Sequence, residues 1–248
     1  MYHNIKLEVA DNYDNMSQKA AEIFASAVRN NPQGAFGFAT GSTPVGMYKE
    51  LINMNLDFSG ITTFNLDEYY PIEKESDQSY YHFMQKNLFG HVNVDSSRTF
   101  FLDGKASDPT VEAQQYEQKI TDLIGTNGII MQILGIGLNG HIGFNEPCES
   151  FEANTRLVPL AETTIEANSR FFASAAEVPK SAITMGIRSI MLARNILLLA
   201  NGSTKAGILR DALSGPVTPL VPASILQLHP SVTVVADKEA ASLLTQAG

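Results

Sequence analysis

A chain of 248 residues with 44% hydrophobic and 17% charged side chains can bury a large core, which excludes the disordered class. Its 17 basic and 26 acidic residues leave a net charge of −9, which argues against nucleic acid or an anionic membrane surface as partner. Cys148 is the one cysteine, so a disulfide framework is excluded and a reducing cytoplasm fits.

The opening, MYHNIKLEVADNYD, lacks the basic-then-apolar form of a signal peptide. No apolar run approaches the ~18 residues that a membrane span needs. QKAAEIFASAV (18–28) spaces its apolar residues as a helix does. AFGFAT (35–40) is a short apolar run that ends in Gly-Ser-Thr-Pro, and VGMYKELINM (45–54) is again helical. ITTFNL (61–66), β-branched and aromatic, predicts a strand. Two helical stretches follow, around 78–89 and 110–124. GIIMQILGIG (128–137) is apolar on both faces, as a central parallel strand should be. AITMGI (182–187), NILLLANG (195–202), the helix STKAGILRDAL (203–213), VTVVADK (232–238) and a final helix complete the chain. Such alternation predicts one domain over 1–248: a doubly wound, mostly parallel α/β sheet with helices on both faces.

Ligands bind such sheets at the carboxyl ends of the strands, so the residues there matter most. At the first, FATGSTP (38–44), Gly41 permits close backbone approach, and Ser42 and Thr43 offer hydroxyls beside the free N–H groups of a helix N-terminus. That combination suits an anion, though an ordinary helix cap uses the same residues. It is not a P-loop, because the Gly-Lys-Ser/Thr ending is missing. At the second, FNLDEYYP (64–71), Asp67 and Glu68 stand where the strand ends, beside two tyrosines. One carboxylate there is a candidate general base, and a solvated turn acid is the plainer alternative.

The third, LGIGLNGHIGFNEP (134–147), delivers Asn139, His141, Asn145 and Glu146 within a glycine-rich turn. Glu146 is placed to hydrogen-bond the His141 imidazole and fix its tautomer. The other histidines, His3, His82, His91 and His229, read as surface or packing positions. One histidine and one carboxylate, with no second histidine or cysteine at ligand spacing, make zinc a poor fit. Arg170 in EANSRFF and Lys205 in NGSTKAGIL are basic among apolar or small neighbours; each alone reads as a surface charge, although Lys205 opens a helix where a phosphate could sit.

TGSTP, FNLDEYY, GIGLNGHIGFNEP, ANSRFF and LQLHP (226–230), in this order along nearly the whole chain, resemble the glucosamine-6-phosphate deaminases. The resemblance implies a Rossmann-like fold and conversion of D-glucosamine 6-phosphate and water to D-fructose 6-phosphate and ammonia, with no metal or organic cofactor. It implies Asp67 as the base that moves a proton from C2 to C1, His141 with Glu146 as the ring-opening group, and Gly41, Ser42, Thr43, Arg170 and Lys205 as the phosphate site. The partner expected is therefore a small aminosugar phosphate, and the span 156–187 is expected to act as a mobile lid.

Two departures from the family pattern change the expectation. Many members carry an acid where this chain has Asn139; an amide can orient the histidine but cannot take up a proton. Allosteric members carry Arg-x-Lys where this chain reads Arg156-Leu157-Val158, and a C-terminal segment beyond the position of Gly248. A monomer or small homo-oligomer without that regulation is expected. Two rival readings remain: a hydrolase like 6-phosphogluconolactonase, which needs no base at C2, and a non-catalytic sugar-phosphate sensing module, which would need a DNA-binding segment that is not evident here.

Overall fold

A computed structural model of the chain describes residues 4–124, 128–169, 172, 174 and 177–244. Seven strands form a wholly parallel sheet in the order β1 (Ile5–Ala10), β10 (Val232–Asp237), β9 (Ile196–Ala200), β6 (Ile129–Gly135), β2 (Ala35–Phe38), β3 (Thr62–Asn65) and β5 (Thr99–Phe100). The central strands are apolar on both faces because helices cover both, and nearly every residue of β2, β6 and β9 is buried. Helix α1 (Tyr13–Asn30) starts where the Asn12 side chain accepts the Asn15 N–H, 2.9 Å away. It buries Met16, Ala20, Phe24 and Val28, one helical face, and Phe24 packs its ring 5.2 Å from Phe36 and 5.4 Å from Phe38.

The chain runs from β2 outward through β3 to β5, then returns to the other side of β2 with β6 and continues through β9 to β10. The order therefore reverses between β2 and β6. At such a switch point the loops leaving two neighbouring strands part, which opens a crevice at their carboxyl ends. Helices α2 (Val45–Asn53) and α4 (Pro109–Ile124) follow β2 and β5 as predicted, and α7 (Ala206–Ser214) follows β9 after a short 3-10 turn, Ser203–Lys205.

A second sheet changes the expected picture. DEYY is not the frayed end of β3 but a strand of its own, β4 (Asp67–Tyr70), and it pairs antiparallel with β8 (Ser181–Thr184), which pairs with β7 (Arg156–Pro159). Leu66 is the joint between the sheets: its N–H donates to Phe38 O (3.1 Å) and its carbonyl accepts from Met185 N (2.7 Å). Helix α3 (Tyr80–Asn87) and the short α5 (Glu162–Asn168) and α6 (Ile187–Met191) lie around this sheet in sequence. The expected final helix does not form among the described residues. After β10 the chain makes turns, in which Asp237 accepts the N–H of Ala240 (2.8 Å) while its carboxylate also holds Gly202 N–H (2.9 Å) of the β9 loop.

Candidate active site

The loops leaving β2, β6 and β9 are tied to one another. Thr43 Oγ1 donates to Asn201 Oδ1 (2.9 Å), joining the β2 turn to the β9 loop. Lys205 Nζ donates to the Ile136 carbonyl (2.6 Å), which holds its ammonium over the end of β6. Gly41, Ser42 and Thr43 make the turn into α2, with Ser42 exposed and its carbonyl accepting from the Tyr13 hydroxyl (3.1 Å). An ammonium, a hydroxyl and the amino end of α2 therefore lie around the mouth of the crevice, a suitable setting for a bound anion. Arg170 lies outside the described residues, as does His3.

The β6 loop carries the polar constellation that its sequence promised. Gly137 N–H donates to the His141 carbonyl (2.9 Å), which closes a tight turn and lays the imidazole against the Gly137 backbone. A Cβ at Gly137 would stand 2.3 Å from His141 Cε1, so only glycine leaves the ring its place. His141 Nδ1 lies 3.2 Å from Glu146 Oε2, and Asn139 Nδ2 donates to the same oxygen at 2.6 Å. The Asn139 carbonyl oxygen accepts the His141 backbone N–H (3.2 Å), and the Thr164 hydroxyl of α5 donates to Glu146 Oε1. Burial alone would raise the Glu146 carboxyl, but the bond and charge of His141, with the donors Thr164 and Asn139, pull it down to about 2. Glu146 is thus a fixed anion, and Nδ1 of His141 is its donor. The amide at position 139 orients the carboxylate and takes no proton.

Asp67 approaches the loop from the second sheet. It is 6% exposed and has no hydrogen-bond partner among the described residues. A Cβ placed at Gly143 would lie 3.5 Å from Asp67 Oδ2 and 2.9 Å from Thr184 Oγ1, and Thr184 in turn accepts the Phe144 N–H at 3.0 Å. The carboxylate therefore sits beside the same loop that carries His141. Burial, and then the neighbouring charge of Glu68, push its pKa up to about 8. Glu68, next along the strand, points the other way, as alternation on a strand requires, and accepts the backbone N–H groups of Tyr69, Tyr80 and Tyr81.

Several site residues give no sign of themselves in the sequence. Thr164 closes the carboxylate's hydrogen bonds from 18 positions away, and Asn201 ties the β2 turn to the β9 loop. Arg156 Nη1 donates to Asn145 Oδ1 (2.9 Å), while Asn145 Nδ2 donates to the carbonyls of Ile142 and Met185, both at 2.9 Å. Those bonds brace the loop from β7. Among the histidines read as surface or packing positions, His229 is fully buried and bonded to Ala193 O (2.8 Å), and His91 is exposed. Among the described residues, no three His, Cys, Asp or Glu side chains cluster to hold a metal, and no helix is long and apolar enough to cross a membrane.

What converges is a buried carboxyl group with a high proton affinity, an imidazole–carboxylate pair and an ammonium near the turn into α2. Known proteins resemble this chain over nearly its full length. The family described as glucosamine-6-phosphate isomerases/6-phosphogluconolactonase matches residues 9–235. A glucosamine-6-phosphate deaminase of Clostridium botulinum (strain Loch Maree / Type A3) is 53% identical over 244 residues, covering 97% of this chain and 99% of the relative. That of Clostridium novyi (strain NT) is 52% identical over 236 residues, covering 94% and 97%. A solved structure described as a monomeric glucosamine-6-phosphate deaminase superposes with a TM-score of 0.93 at 44% identity, covering 96% of this chain and 99% of that one. The 6-phosphogluconolactonase of Trypanosoma cruzi shares the fold, with a TM-score of 0.76 at 23% identity over 98% of this chain and 99% of its own.

Proposed function

The chain belongs to the glucosamine-6-phosphate isomerase/6-phosphogluconolactonase family, and from that premise we propose that it is a glucosamine-6-phosphate deaminase, converting D-glucosamine 6-phosphate and water to D-fructose 6-phosphate and ammonia. Within the family the choice between deaminase and lactonase rests on one observation: the Asp67 carboxylate is buried, has no hydrogen-bond partner among the described residues and is held beside the loop of His141. Hydrolysis of a lactone needs no base for a carbon-bound proton, whereas aldose–ketose isomerisation does.

The closed sugar ring opens when the anomeric hydroxyl loses its proton and the ring oxygen gains one. His141 performs that transfer through Nε2, with Nδ1 committed to the Glu146 anion. The open chain presents an aldehyde at C1 and an amine at C2. Asp67 takes the C2 proton and returns it to C1, while the carbonyl oxygen is protonated, leaving an iminium at C2. Water adds there, ammonia leaves, and the ketone of fructose 6-phosphate remains. A single carboxylate suffices for both proton steps because C1 and C2 are adjacent on one face. Asn139 keeps Glu146 ionised and acts as an orienting group.

Lys205, the Gly41–Thr43 turn and Arg170 bind the phosphate, which supplies the energy that holds the reacting end in place. Lys205→Ala should weaken glucosamine 6-phosphate by about 10- to 150-fold, the worth of one charge-assisted contact, and affect unphosphorylated glucosamine little. Competition binding with inorganic phosphate measures it, and an unchanged affinity removes Lys205 from the site. Residues 156–187 serve as the lid of a single catalytic domain, with Thr164 carrying its contact to Glu146.

The protein works as a monomer, in the reducing cytoplasm that its single cysteine suits. Arg156, which resembles an effector-site residue, is committed to Asn145 and faces Glu152, and Val158 adds no charge. Sedimentation should therefore give one chain, and the rate should depend hyperbolically on substrate with or without N-acetylglucosamine 6-phosphate. A hexamer with sigmoidal kinetics relieved by that compound would contradict this. The function itself is tested by incubating the protein with glucosamine 6-phosphate and following ammonia and fructose 6-phosphate. Turnover of 6-phosphogluconolactone without ammonia release would favour the lactonase reading.

A further inference from the structure

The second carboxylate of the Asp67-Glu68 pair has a task of its own. We infer that Glu68 is a positioning residue for the base: it clamps the first turn of α3 onto β4 and places a second carboxyl group next to Asp67 on the strand, where its charge acts on that base.

The clamp consists of three hydrogen bonds. Glu68 Oε1 accepts the N–H of Tyr69 (3.0 Å) and of Tyr80 (2.9 Å), and Oε2 accepts that of Tyr81 (3.0 Å). Ser79 Oγ accepts the next N–H, from His82 (2.9 Å), so the opening donors of α3 are satisfied by one carboxylate and one hydroxyl. Tyr80, fixed in this way at the start of the helix, stacks on Phe144 with ring centroids 6.1 Å apart and planes 11° apart, and lies 4.8 Å from the Tyr69 ring. Phe144 belongs to the His141 loop, and the two rings are 6.5 Å apart. One side chain thus links the strand of the base, a helix and the ring-opening loop.

The second contribution is electrostatic. Two N–H donors at the start of α3 and one on β4 favour the carboxylate form of Glu68, whereas the Asp67 carboxylate has none among the described residues. Burial outweighs the backbone donors and leaves Glu68 raised to about 7, while burial and then the charge of Glu68 raise Asp67, which lacks such donors among the described residues, to about 8. The phenols of Tyr69, Tyr80 and Tyr116 also face Asp67, but burial raises all three and they stay neutral across the working range. Across the loop stand His141 and the Glu146 anion, whose charge is spent on its own partners. Glu68 is therefore the adjacent charge that adds to burial in determining how tightly Asp67 holds a proton.

The inference rests on the deaminase reading, and the wild-type enzyme separates the two: an enzyme that releases no ammonia fails that reading before any variant is made. In an active enzyme, Glu68→Gln should move the acidic limb of the kcat–pH profile down by about one unit, with kcat at the optimum reduced and KM little changed. Ser79→Ala, which loosens the same helix without touching the charge, should lower the melting temperature and leave the limb in place. A folded Glu68→Gln enzyme whose limb stays at the wild-type pH overturns the inference. Should that variant not fold, carbon-13 titration of the wild-type carboxyls decides: Glu68 ionising before Asp67 supports it, and the reverse order overturns it.

Discussion

Asp67→Asn is expected to abolish most turnover while making the folded protein more stable above neutral pH. Loss of a positioned base costs ~10²–10⁴-fold in rate, and exchange of the C2 hydrogen with deuterium from solvent should fall in parallel while substrate binding persists. The stability effect follows from the sign of the pKa shift. In the folded chain Asp67 holds its proton until about pH 8, against 3.8 ordinarily. Between those values the folded state carries a proton that the unfolded chain has released, so stability falls as pH rises from about 4 to 8, by an amount on the order of a few kcal/mol. A neutral amide removes that penalty. Melting curves of the two proteins should therefore coincide near pH 4 and separate at pH 8, with the variant higher. A variant that melts lower than wild type at pH 8, or still exchanges the C2 hydrogen at full rate, refutes Asp67 as the strained base.

The second large effect is expected at His141. His141→Gln leaves a side chain that can still bond Glu146 but cannot gain and lose a proton, so ring opening loses its carrier. Release of ammonia from the ring-closed substrate should fall ~10²–10⁴-fold. Affinity for an open-chain analogue, in which C1 is reduced to the alcohol, should be retained because that ligand needs no ring opening. Full turnover by the variant would assign ring opening to solvent or another group. Loss of analogue affinity in step with the rate would make His141 a binding residue instead.

The strands that build the parallel sheet are legible because burial on both faces leaves continuous apolar runs, as in Ile129–Gly135 and Ile196–Ala200. The loop of His141 is legible for the opposite reason: glycines and polar groups crowd where such a run stops. The second sheet was hidden. Its strands have four residues each, too short to establish an alternation, and β4 pairs with β8 across more than a hundred residues of chain. That hidden pairing is what separates Asp67 from Glu68. Side by side in the sequence they are equivalent acids; on a strand they face opposite ways, and one meets the loop while the other meets α3. Thr164 was hidden because it acts only through proximity in the fold.

The three-stranded sheet has a consequence for how the enzyme fails on warming. Cooperative units of a protein open at different free energies, and strands of four residues at the margin of a seven-stranded core belong to the low end of that range. Amide protons of β4, β7 and β8 are therefore expected to exchange with solvent before those of the parallel sheet, which hydrogen exchange measures. Heat inactivation is then expected below the temperature at which the core itself unfolds, because an opening that moves β4 also moves Asp67.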